Sequence, residues 1–270
     1  MPRITEAASP AHDAATSRRF GNLLPATVLS AGIVLAWEAA IRLLAVSSFV
    51  LPAPSAIVAS LISHRAELAA AARVTAIEIV LGFVLAAGVG IALALVMLRF
   101  ERLGHAMYPL VVLFQNVPKV ALAPLVILWF GYGLTPKIVL IVVIAFFPVT
   151  INMLAGLQSV DPSLISLMRS VGAREPKILM RVRIPHSLPS LIAGLKVAIT
   201  FSVIGAVVGE FAGANKGLGY LIQFASTQLD TPLVFAALLV ISMLGLSFYY
   251  IVEYAERHLV PWAPKFDPVT

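Results

Sequence analysis

The sequence predicts an all-α protein threaded repeatedly through a membrane, and three observations carry that prediction. Hydrophobic residues make up 60% of the 270 positions and charged residues only 12%, with a mean hydropathy of +0.97. Soluble domains are about half apolar and a quarter charged, so this chain has too little polar surface to coat a particle in water. Six apolar stretches reach the roughly 20 residues that a spanning helix needs. The cations then fall unevenly on the two sides that six passes create. The net charge of +6 therefore reports topology and anionic headgroups rather than nucleic acid. The absence of cysteine excludes disulfides, thiol catalysis and thiolate metal sites.

Taken in order, residues 1–22 are polar, mixed in charge and rich in Ala, Ser, Thr and Pro, which predicts a disordered cytoplasmic tail. The first apolar run begins near Leu23, too far in for a cleaved leader and long enough to span. Residues 23–258 form one transmembrane domain, with spans expected at about 24–46, 74–98, 107–130, 136–157, 188–211 and 233–254. Between the first two, Ile57, Val58, Leu61 and Ile62 recur at helical spacing, which predicts a short helix in the membrane interface. QNVPK at 115–119 interrupts the third span, and GYGLTP turns the chain into the fourth. Residues 158–187 are a basic loop between the fourth and fifth spans, and 259–270 a second cytoplasmic tail. Six passes put Arg99, Arg102, Arg169, Arg174, Lys177, Arg181, Arg183 and Arg257 on the side of both termini. Only Arg65, Lys137 and Lys216 fall in the opposite loops, with Arg73 at a helix end. Cations stay in the cytoplasm, so both termini and the basic loop are expected there.

That loop, QSVDPSLISLMRSVGAREPKILMRVRIPHSLP, reads as a pair of short helices. Asp161 is an N-cap and Pro162 suits the first helical position. Leu164, Leu167, Met168 and Val171 mark an apolar face, and Gly172 stops the helix in a left-handed conformation. Pro176 permits a second start, Ile178, Leu179 and Val182 give it an apolar side, and Pro185 and Pro189 are expected to end it and begin the next span. Such a pair can lie on lipid or dock on a partner. DNA binding is disfavoured, because both ends are tethered to the membrane within a few residues.

The loop resembles the signature of membrane subunits of ATP-binding cassette importers: a glycine, nine residues, then isoleucine-any-leucine-proline. Gly172 and Val182-Arg183-Ile184-Pro185 fit that spacing, whereas Ser166-Leu167-Met168 stand where an acidic-alanine-alanine start would be. VPKVALAPLVILWFGYGLTPKIVL, AGLQSVDP and AGLKVAITFSVIGAVVGEFAGANKGLGYLI are similar to the nitrate, sulfonate and taurine branch, which also holds transporters of vitamin precursors. The resemblance implies a six-span permease subunit of the bacterial inner membrane, working as a homodimer. It implies separate cytoplasmic ATPase subunits that bind ATP and Mg, and a periplasmic solute-binding protein. No cofactor and no catalysis are then expected in this chain, and the cargo is a small anionic or heteroaromatic solute. Asp161, Leu164, Leu167, Met168, Gly172, Ala173 and Pro185 become the coupling surface on the ATPase.

The residues themselves offer no nucleotide site. AGANKGLGY at 212–220 is glycine-rich but follows no strand, and is expected to be a turn on the outer side. The five histidines are scattered, with no metal-ligand spacing. Ionisable groups in a span are costly and face protein or water. Glu38, Glu78 and Lys196 are expected to tie helices together or to snorkel. At QNVPK, Pro118 frees backbone carbonyls, and irregular backbone in a membrane lines cavities. Gln115, Asn116 and Lys119 are thus candidates for the translocation path, with Glu210 at the end of the fifth span as a gate. Gly205, Gly209 and Gly213 form a small-residue stripe for helix packing, within the subunit or across a dimer. A stand-alone secondary transporter would show inverted repeats and coupling-ion residues at mid-membrane, and neither is evident.

Overall fold

The computed structural model describes residues 11–262, and these are helical apart from connecting turns. In chain order the helices are α1 (Ala11–Leu43), α2 (Pro54–Ser63), α3 (Arg65–Arg99), α4 (Glu101–Asn116), a 3-10 turn (Lys119–Leu122), α5 (Ala123–Phe130), α6 (Leu134–Gln158), α7 (Pro162–Ser170), α8 (Glu175–Ile178), α9 (Ile184–Gly213), α10 (Leu218–Thr227) and α11 (Thr231–Leu259). Among the described residues, four helical stretches are long and apolar enough to cross a membrane: Arg65–Arg99, Leu134–Gln158, Glu175–Gly213 and Thr231–Leu259.

The centre of the bundle is α6, held between α3 and α9. Lipid tails are as apolar as leucine, so helices in a membrane associate through close packing, and small residues permit it. On α3, Gly82, Ala86, Gly90 and Ala94 recur every fourth position and are all buried. Gly82 lies against the Ile141 side chain, and Gly90 against Val149 and the Phe146 carbonyl. On α9, Gly194 rests on Pro148 and Asn152, Gly205 on the Ile141 backbone and Gly209 on Lys137. The contacts rise together in number along α3 and α6 and oppositely along α9. Hence α3 and α6 run parallel, and α9 runs antiparallel to both. The 205–213 stripe serves packing within the subunit, since Gly213 also meets its own chain at Ile127 and Tyr132.

The structure corrects three expectations. Helix α1 begins at Ala11, inside the stretch expected to be disordered, where alanines favour a helix; residues 1–10 and 263–270 lie outside the described range. The third span is two helices: α4 stops at Asn116, Pro118 has no N–H to continue it, and the chain resumes through a 3-10 turn into α5. Helix α2 forms where its spacing predicts a short helix, and it turns Ile57 into a cluster with Leu218, Leu221 and Leu233, while Val58 and Ile62 face outward. Pro185 stands in the first turn of α9, where the next span was expected to begin, but neither it nor Pro189 breaks the second loop helix from that span. A wide π turn over Leu179–Arg183 carries α8 directly into α9. Such a turn skips the hydrogen bond that Pro185 is unable to donate.

Candidate functional site

The loop between α6 and α9 is fixed by local chemistry. Asp161 accepts the Ser163 N–H at 2.7 Å and caps α7, as its position predicts. At the other end Gly172 takes φ +77°. The Gly172 N–H reaches the Arg169 carbonyl at 2.9 Å and the Ala173 N–H the Met168 carbonyl at 3.0 Å, the Schellman pattern that a left-handed glycine allows. An Arg169–Glu175 pair of 2.8 Å closes the turn from outside.

Inside the loop, Val160, Ile165 and Ile178 form a small core that takes in Met168, Ala173 and Val182. Met168 therefore faces inward, not along one ridge with Leu164 and Leu167 as expected. The outward apolar surface is Leu164, Leu167, Val171 and Met180, exposed by 43%, 60%, 72% and 71%. Pro185 is half-buried in the first turn of α9. Arg183 reaches back from the π turn and donates to the Leu157 carbonyl at 3.1 Å. Near its C-terminus α6 thus has a cationic cap supplied by the loop.

A second polar assembly lies at the opposite end of the bundle. Lys137 in the first turn of α6 donates to Glu78 of α3 at 2.6 Å, and both are buried. Glu210 of α9 is fully enclosed. It accepts the Thr75 hydroxyl at 2.7 Å and the Gly219 N–H at 2.5 Å, and the Leu218 N–H meets Thr75 at 2.8 Å. The N-terminus of α10 is thereby filled by the chain's own carboxylate. The glycine-rich 212–220 segment is the expected turn. Its Gly217 adopts φ +113° and lies against the Glu210 carboxylate, where a side chain would collide.

The candidate path residues divide. Asn116 is exposed at the end of α4, with its amide donating to Val112 at 3.1 Å. Lys119 is half-buried in the 3-10 turn. Gln115 is the penultimate residue of α4. Glu210 is not gathered with them; its partners come from α3 and α10. Beside Lys137, a cleft of about 480 Å³ is lined by Tyr132, Gly133, Gly213, Ala214 and Asn215.

Two other charged residues expected within spans have structural partners. Lys196 meets Glu256 of α11 at 2.5 Å and stands over the Tyr249 ring, tying α9 to α11 rather than to the loop. Glu38 accepts the Ser55 N–H at 3.0 Å and its hydroxyl at 2.8 Å, so α1 caps α2. Thr75, Ser55 and the Arg183 contact were not foreseen. Only Arg183 carries a sequence signal, a cation two residues before Pro185.

A bundle of long apolar helices, two of them joined by an amphipathic loop, defines the class of membrane-spanning helical proteins. The chain belongs to the family of binding-protein-dependent transport system inner membrane components, whose pattern matches residues 86–261. It is 36% identical over 249 residues to the formylaminopyrimidine transport permease protein ThiX of Halalkalibacterium halodurans, covering 92% of this chain and 99% of that one. It is 31% identical over 249 residues to the putative aliphatic sulfonates transport permease protein SsuC of Bacillus subtilis, covering 92% and 88%. Among solved structures, an amino acid ABC transporter with histidines shares the fold, with a TM-score of 0.56 at 20% identity over 74% of this chain and 97% of that one.

Proposed function

We propose that this permease subunit is driven through its 158–187 loop by a separate cytoplasmic ATPase, which binds ATP and Mg. The supporting observation is the outward apolar set Leu164, Leu167, Val171 and Met180. It rides on a loop with its own core, cap and glycine stop, so the surface is both rigid and unpartnered within the chain. Six passes, both termini on the loop side, a homodimer and a periplasmic solute-binding protein complete the assembly. The Lys196–Glu256 pair supports the topology, because it places the C-terminal end of α11 beside the loop end of α9.

Transport then follows from a two-state, rigid-body switch. Moving such an equilibrium from about 1:99 to 99:1 requires about 5.5 kcal/mol of differential binding, which the ATPase supplies by gripping one state through the loop. Gln115, Asn116 and Lys119 line the path at the break between α4 and α5, and Glu210 supports the outer end from within. The cargo is a small anionic or heteroaromatic solute of the sulfonate and vitamin-precursor class.

Extraction of the tagged chain from its native membrane in mild detergent is expected to recover a stoichiometric ATPase, and Leu167→Asp with Val171→Asp to lose it. Gly172→Asp is expected to leave the protein in the membrane while uncoupling ATP hydrolysis from uptake. Recovery of the permease without any ATPase overturns the reading in favour of a stand-alone transporter.

A further inference from the structure

Glu78, Lys137 and Glu210 meet where α3, α6, α9 and α10 pack, and they are 2%, 8% and 0% exposed. Glu78 Oε1 takes the Lys137 ammonium, while Glu210 takes the Thr75 hydroxyl on Oε1 and the Gly219 N–H on Oε2. Two ionised carboxylates against one ammonium leave an uncompensated negative charge in a closed junction, which is strongly unfavourable. Among the described residues, no other cation pairs with either acid. Arg73 on α3 and Lys216 in the turn before α10 are both exposed, and neither makes an ion pair among the described residues.

A second observation points to the same deficit. Glu78 Oε2 is buried with no hydrogen-bond partner. Glu78 stands one turn after Thr75 on α3, and Thr75 holds Glu210 at 2.7 Å, so the two acids face the same buried junction. Ionised carboxylates only accept, so two of them side by side make no bond. One proton between them satisfies the orphan oxygen and cancels the surplus charge at once.

We infer that Glu78 and Glu210 share a single proton, so that this junction is a buried proton-binding site balanced by Lys137. The N-terminus of α10 and the turn before it cover the site. Lys137 also borders the outer cleft.

Infrared spectroscopy of the full-length protein in lipid bilayers tests this. At about pH 8, carboxyl groups open to water are ionised, their ordinary values lying near 4. The unaltered protein is expected to retain a protonated-carboxyl C=O band at that pH. Glu78→Gln and Glu210→Gln are each expected to abolish it, because the remaining acid ionises against Lys137. Absence of the band from the unaltered protein, which needs no variant to fold, overturns the inference. Persistence of the band in both variants overturns it as well.

Discussion

Thr75 and Glu210, 135 positions apart, are joined by a 2.7 Å hydrogen bond in the closed interior between α3 and α9. The same threonine oxygen accepts the Leu218 N–H, so one hydroxyl serves both the carboxylate and the first turn of α10. Thr75→Val keeps the volume and removes the hydroxyl, leaving a buried donor without its acceptor. The expected cost is about 1–3 kcal/mol. Thermal unfolding in detergent is expected to show a lower midpoint for Thr75→Val and near-recovery for Thr75→Ser. Equal midpoints for valine and threonine would show that the hydroxyl bridge contributes nothing.

Two glycines two residues apart on α3 are expected to respond in opposite directions. A Cβ on Gly90 would come within 2.7 Å of Val149 Cβ and 2.8 Å of the Phe146 carbonyl oxygen, whereas one on Gly88 meets nothing within 4 Å. Gly90→Ala forces α3 and α6 apart, at an overpacking cost of about 1–3 kcal/mol. Gly88→Ala removes helix-breaking freedom and is expected to stabilise by roughly 0.5–1 kcal/mol. The comparison is internal to one helix, so a shared detergent effect cancels. Equal shifts in the two variants would contradict the close α3–α6 contact.

Gly172 isolates a backbone effect in the loop. Its φ is +77°, and an added Cβ meets no atom within 4 Å. Gly172→Ala therefore costs only the left-handed penalty, about 1–2 kcal/mol. That cost is local to a loop with its own small core, so the expected readout is faster protease cleavage between α7 and α8, with the unfolding midpoint of the bundle unchanged.

How much of this was legible in the sequence depends on which force positions each residue. Composition alone marks the apolar helices, and local chemistry marks the loop: Asp161, Pro162 and Gly172 act on their own neighbours, and the cap and stop are where their spacing puts them. Pro118 likewise breaks the helix by losing its own N–H. Partners across the bundle were not legible. Lys137 reads as a residue of an outer loop but is buried against Glu78, and Glu210 reads as a gate but is enclosed by Thr75 and Gly219. A helix that is apolar on every side carries no marked face, so its rotation, and hence which polar groups meet, is set by small-residue contacts between helices. The Gly82–Ala94 stripe was the available signal, and it lies in the same helix as both partners, Thr75, which donates to Glu210, and Glu78, which accepts from Lys137. The turn of Met168 into the loop core has a similar cause. Val160 and Ile178 flank α7 from outside its own repeat, and they select the face that is buried.

Arg183 joins the loop to α6, and its replacement separates stability of the assembly from transmission through it. Its guanidinium donates to the Leu157 carbonyl at 3.1 Å, one residue from the end of α6, while its backbone lies in the π turn that feeds α9. A push on α7 therefore reaches both α6 and α9. A hydrogen bond from a charged group contributes about 1.5–3 kcal/mol when desolvated, and less at this half-buried site. If Arg183→Gln weakens the link in one state of the switch by about 1.4 kcal/mol, the population of that state falls roughly tenfold. ATP-driven uptake is expected to fall by about that factor, while the Leu164, Leu167 and Val171 surface, untouched by the change, keeps the ATPase bound at unaltered stoichiometry. Arg183→Lys, which keeps the charge but loses the reach of the guanidinium, is expected to lie between the two. Uptake at the unaltered rate in Arg183→Gln would mean that force passes from loop to bundle through the backbone alone, and loss of the ATPase from the complex would place Arg183 in docking instead.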